Sequence, residues 1–96
     1  MFVVIVHFPP IREGKEAQFL EWFARSNEKF SMFDGFLGRR LLKASDGRSY
    51  AALIETESRE AFAAMQGAPG HDEAARQVAS LLDGTPAVEQ YELVLP

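Results

Sequence analysis

Residues 2–8 read FVVIVHF, seven residues of which six are apolar, with His7 the exception. A strand with one face on a core and the other in water alternates apolar and polar side chains. This segment does not alternate, so both of its faces need cover. In a chain of 96 residues the helices can shield one face of a small sheet and little more. The simplest cover for the second face is another copy of the chain, so the segment predicts a homodimer.

A chain of this length makes one domain, residues 1–96, able to bury roughly 60–70% of its unfolded surface. Hydrophobic residues make up 47% and charged residues 25%, which is a globular composition rather than a disordered one. There are no cysteines. Disulfides, thiolate metal sites, iron–sulfur clusters and a cysteine nucleophile are thereby excluded, and the absence fits a reducing compartment. The net charge is −4, and Arg39-Arg40 is the longest basic run, which argues against a nucleic-acid partner. The apolar run before His7 is too short for a membrane span and lacks the flanks of a signal peptide. The expectation is a soluble cytoplasmic protein with no membrane partner.

The order of elements reads strand, helix, strand, strand, helix, strand. Pro9-Pro10 ends the first strand, because proline cannot donate to a ladder. Lys15 to about Met32 reads as a helix. Phe19, Phe23 and Phe30, with Leu20 and Ala24, form its apolar stripe, and Glu21 and Arg25 form an outward pair. Asp34-Gly35 stops it. Phe36–Lys43 and Ser49–Thr56 are strands joined through an Asp46-Gly47 turn. Ser58 caps the next helix, which breaks at Ala68-Pro69-Gly70. A second piece runs from His71 to Leu82, and Val88–Leu95 is the last strand. This is the split βαβ, ferredoxin-like α+β pattern: a four-stranded antiparallel sheet with helices on one face. Two bare faces packed together make a dimeric barrel.

Several segments resemble the antibiotic-biosynthesis-monooxygenase-like family of dimeric α+β barrels: FVVIVHF, Gly14-Lys15-Glu16, Gly35-Phe36-Leu37-Gly38, the run Glu57 to Phe62, Ala68-Pro69-Gly70-His71, and Val88 to Glu92. The resemblance implies a homodimer with a ligand cleft between sheet and helices. It also implies cofactor-independent monooxygenation of polycyclic phenols, or haem degradation as in some relatives. Active members are associated with an Asn on strand one, a Trp ending strand three and a His on the later helix. Here those places hold His7, Thr56 and Ala75, with His71 one turn before the last.

His7 shares a face with Val3 and Ile5. Imidazole titrates near neutral pH, so a histidine in the cleft can take a proton from a phenol or enol; the plain alternative is a histidine hydrogen-bonded within the core or the dimer. Asn27 lies on the stripe of helix one, where its amide can donate to a substrate carbonyl or make a local bond. Trp22 and Phe23 can stack on a flat substrate, or belong to the core. Arg40 and Tyr50, on adjacent strands, can contact an acidic phenol or pair with each other. His71 opens a helix at the cleft mouth or in solvent. His7 and His71 show no metal-ligand spacing, and no phosphate loop, nucleophile elbow or nucleotide fingerprint is present. No metal and no cofactor are expected. The leading reading is a cofactor-independent oxygenase of a small aromatic or quinone-like substrate, with His7 and Asn27 catalytic. The alternative is a non-catalytic dimer that binds a small apolar ligand.

Overall fold

The computed structural model describes all 96 residues. The elements run β1 (Phe2–His7), α1 (Glu16–Phe30), β2 (Phe36–Lys43), β3 (Tyr50–Thr56), α2 (Arg59–Gln66), α3 (Pro69–Ala79) and β4 (Ala87–Glu92). The strands form one antiparallel sheet in the order β2-β3-β1-β4. This is the ferredoxin-like α+β arrangement that the pattern of the chain predicts.

Side-chain parity decides which face carries the core. Phe2 and Val4 are 1% and 0% exposed, and Phe8 beyond the strand end is also buried. Val3 and Ile5 between them are half-buried and His7 is exposed. The inner face continues through Ala52, Ile54 and Thr56 of β3, all buried. Onto it pack Phe19, Trp22, Phe23 and Phe30 of α1, Phe62 and Met65 of α2, and Ala74 and Val78 of α3. Edge-to-face and tilted aromatic contacts organise one end, with Phe8 and Phe19 at 5.0 Å and Phe19 and Tyr50 at 5.3 Å between centroids. Such pairs add about 0.5–1.5 kcal/mol beyond burial.

The buried stripe of α1 is Phe19, Trp22, Phe23, Ser26 and Phe30. Leu20 is 42% exposed and Ala24 is exposed, so they lie off the stripe and Trp22 takes the place expected for them. Glu21 and Arg25 face outward at 3.8 Å. Ser58 accepts a hydrogen bond from the Ala61 N–H at 3.1 Å, as an N-cap does. α3 starts at Pro69, before His71, because proline suits the first helical turn, where its missing N–H is no loss. Gly35 has φ +80° and its carbonyl accepts from Glu57 N at 2.8 Å; a Cβ there would sit 2.6 Å from that of Ala61. Only glycine lets α2 lie this close to the entrance of β2.

The outer face of the sheet carries Val3, Ile5, Ala51, Leu53 and Tyr91, with His7, Arg40, Glu55 and Glu89 among them. All three helices pack on the opposite face, so this one is left to solvent in the single chain.

Candidate functional site

Between the inner face of the sheet and the helices lies a cavity of about 210 Å³. It is lined by 16 residues, 12 of them hydrophobic. Val6, Ala52 and Ile54 form the floor, Trp22 and Phe30 one wall, and Met65, Ala74 and Val78 the roof. The four lining residues that are not hydrophobic include three polar side chains, Arg39, Gln66 and His71. An apolar cavity of about 150 Å³ can hold benzene, whereas drug-sized ligands occupy roughly 300–1,000 Å³. The volume therefore suits one or two aromatic rings.

The polar groups are placed by their elements. Arg39 points inward from β2 and is 8% exposed. Its guanidinium carbon lies 3.9 Å from the ring centroid of Phe23, 4.9 Å from that of Phe30 and 5.2 Å from that of Trp22. Its Nη1 donates to the Phe23 carbonyl at 3.3 Å, to Ser26 Oγ at 2.8 Å and to Asn27 Oδ1 at 2.9 Å. Nε has no acceptor. No carboxylate pairs with this cation. Burial lowers its pKa to about 10, so it remains charged at neutral pH. The surrounding aromatic faces offset part of the desolvation.

His71, in the first turn of α3, lies 6.0 Å from the Phe30 ring, centroid to centroid. Its pKa is lowered by burial, against an opposing pull from Asp72, with the Arg39 cation adding a smaller lowering. It is thus held toward the neutral form, able to accept a proton from a cavity ligand. Trp22 presents its ring to the cavity while its indole N–H donates to the Ala74 carbonyl at 3.0 Å. That bond ties α1 to α3 and leaves only the ring for a ligand.

The expected site residues divide. Trp22 and His71 line the cavity, and Phe23 lies behind it, under Arg39. Asn27 does not reach the cavity. Its amide clamps Arg39 at both ends, with Nδ2 donating to the Arg39 carbonyl at 3.2 Å and Oδ1 accepting from Nη1.

His7 is on the other side of the sheet. Val6 and Phe8 line the cavity, and strand alternation sends the residue between them outward. His7 Nε2 instead meets Glu89 Oε1 at 2.5 Å, and this bond, with one from Tyr91, lowers the pKa of Glu89. The expectation of His7 and Asn27 facing one cavity is therefore corrected. Arg40 also points outward and pairs with Glu55 at 2.7 Å, while Tyr50 turns inward against Phe19. Arg40 and Tyr50 cannot form a pair, because they lie on opposite faces.

At the positions where the resemblance expects functional groups, Thr56 is buried and donates to the Ser58 carbonyl at 2.9 Å, a structural bond, and Ala75 is on the cavity wall. No group of three or more His, Asp or Glu side chains converges to ligate a metal, and no helix is long and apolar enough to cross a membrane.

Arg39 is the residue that sequence reading missed. A bulge at Phe36/Gly38 shifts the register of β2, so that Phe36 faces Thr56 and Arg39 faces Ile54. Plain alternation from Phe36 puts Arg40 inside; the extra residue reverses the parity. The adjacent Gly38 was the available signal, since an isolated glycine in a strand often marks a bulge.

The fold is shared with known structures. Rv0793 from Mycobacterium tuberculosis superposes with a TM-score of 0.86 at 22% identity, covering 99% of this chain and 96% of that one. SnoaB, a cofactor-independent oxygenase from Streptomyces nogalater, superposes with a TM-score of 0.83 at 23% identity, covering 99% and 95%. A conserved protein from Methanosarcina mazei gives 0.84 at 12% identity, covering 95% and 91%. At these identities the superpositions establish the fold alone. A search of curated protein sequences finds no match. The family model described as antibiotic biosynthesis monooxygenase matches residues 1–94, nearly the whole length. With an inner cavity built on this sheet and a family match running from the first strand past the last, the chain belongs to the antibiotic biosynthesis monooxygenase family.

Proposed function

We propose that this protein is a cofactor-independent oxygenase of a small aromatic substrate of one or two rings, bound between sheet and helices. The observation that carries the reading is a neutral-leaning imidazole, His71, on the wall of a largely apolar cavity. His71 takes the proton of a substrate hydroxyl, which leaves an anion with carbanion character on the ring. The anion gives one electron to dioxygen, and the resulting radical pair joins to form a carbon–oxygen bond. The peroxide anion takes its proton back from His71. The hydroperoxide then loses water as the O–O bond and the C–H bond on the same carbon break, so that this carbon becomes a quinone carbonyl. One oxygen atom stays in the product and the other leaves as water. A largely apolar lining favours the anion's reaction with dioxygen over its reprotonation by solvent. SnoaB, a cofactor-independent oxygenase of the same fold, supports the class of reaction.

We assign the protein to a homodimer, sealed across the outer face of the sheet. Val3, Ile5 and Leu53 are half-exposed there in one chain, while the His7–Glu89 hydrogen bond and the Arg40–Glu55 ion pair tie up polar groups beside them.

The test is dioxygen uptake with a dihydroxynaphthalene, followed at an oxygen electrode and by mass spectrometry with ¹⁸O₂. One labelled oxygen should enter each product molecule, and His71→Gln should lower kcat by about 10²–10⁴-fold, while His7→Ala leaves kcat within a small factor. Binding without oxygen uptake would leave a small-ligand-binding protein. Full activity in His71→Gln would remove His71 as the base.

A further inference from the structure

Arg39 is a buried cation with an unused bonding edge. Its Nη1 is saturated by Phe23, Ser26 and Asn27, all on α1. Nε has no partner, and Nη2 makes no hydrogen bond to the protein. In a guanidinium, Nε–H and the outer Nη2–H lie side by side on one edge. That pair is the fork that grips two oxygens in a plane. The edge turned toward α1 is occupied, and the edge left free belongs to a side chain on the cavity wall.

A buried Nε–H without an acceptor is unusual, because buried polar groups are nearly always satisfied. Stability does not require a charge here, since a leucine or methionine would suit the same aromatic surroundings. The three rings and the Asn27 clamp nevertheless hold the guanidinium in one orientation with no anion of the protein's own beside it.

We propose that Arg39 determines specificity: the cavity selects aromatic ligands carrying a planar two-oxygen anion, gripped side-on by Nε and Nη2. A carboxylate and an ionised hydroxyquinone share this chemistry. The inference rests on the cavity being the ligand site, as in the oxygenase reading, and gives that substrate its charge. It also gives the two polar groups separate duties. Arg39 holds the anionic oxygens, and the neutral imidazole of His71 is free to take a proton elsewhere on the ring. The gain is electrostatic preorganisation, because the cation is already fixed when the ligand arrives.

The experiment measures binding to the whole protein by calorimetry at neutral pH, with two matched pairs of probes. One pair is 2-hydroxy-1,4-naphthoquinone and its 2-methoxy ether. The other is 2-naphthoate and 2-naphthamide. Within each pair the ring system is the same and only one member is an anion. The anion should bind at least about tenfold more tightly in one or both pairs, and the pair that shows it identifies the oxygen chemistry. Arg39→Met, which keeps volume and removes the fork, should abolish the preference and leave the neutral probes within about threefold. Equal affinities within both wild-type pairs overturn the proposal and need no variant to do so. A preference that survives in Arg39→Met overturns it as well. If none of the four probes binds, the cavity is not a ligand site and both readings fail. If anions are preferred but no dioxygen is consumed with any substrate, Arg39 keeps its role and the oxygenase reading alone falls.

Discussion

Asn27 shows how a single residue type can be read two ways. Its position on the stripe of α1 suggests a group aimed at substrate, yet both ends of its amide go to Arg39. It acts on the cavity through the cation that it holds. Asn27→Ala should destabilise the fold by about 1–3 kcal/mol, since it leaves Arg39 with fewer acceptors in a buried place. Urea unfolding would measure this, and the anion preference should weaken with it. His71 makes a second prediction at this scale. Its folded pKa lies below the ordinary value of 6.5, so the unfolded chain binds its proton more readily. The His71 contribution to stability is therefore full above pH 6.5 and is lost as the pH falls through that value toward the folded pKa. His71→Gln should flatten this part of the pH–stability curve. The acid limb of kcat/KM should likewise lie below pH 6.5 in the wild type.

The elements owe their ends to a few local devices. Ser58 satisfies the Ala61 N–H at the start of α2, and Ser58→Ala should cost about 1 kcal/mol, read as a lower urea midpoint with unchanged slope. Gly35 is more demanding, because a positive φ coincides with contact against α2. Gly35→Ala should destabilise by more than the cap substitution, and relief in a Gly35→Ala, Ala61→Gly double variant would separate the clash from the backbone strain. These devices were legible along the chain: Ser58 stands before a helical run, and Asp34-Gly35 stands after one. The bulge in β2 was not legible by alternation. Between Leu37 and Leu42 the chain reads Gly-Arg-Arg-Leu, in which either arginine can face inward. Once the register places Arg39 opposite Ile54, the choice is made.

At the scale of the whole molecule, the two faces of the sheet have different tasks. The inner face holds the core and the cavity, and the outer face is proposed to seal a dimer. The distinction predicts two different failures of β1. Val4, fully buried on the inner face, should not tolerate aspartate, and Val4→Asp should fail to fold by circular dichroism. Ile5 is half-exposed on the outer face, and Ile5→Asp should leave the fold of the subunit recognisable while shifting sedimentation from dimer to monomer. A wild-type chain that sediments as a monomer at micromolar concentration would remove the dimer assignment.

The chain by itself determined where strands, helices and turns lie and that one sheet face would be left without helices, because those properties depend on periodicity and on neighbours a few positions apart. Tertiary structure decided which side chains share the cavity. Arg39, Trp22, Phe30 and His71 come from three different elements, and their meeting depends on a one-residue bulge and on the side of the sheet that the helices choose. A shift of one residue along a strand exchanges its two faces. In β2 that shift brings Arg39 into the cavity, whereas His7, on the regular β1, is turned away because the helices cover the opposite face. Apart from Gly38, no local pattern of residues carries the information.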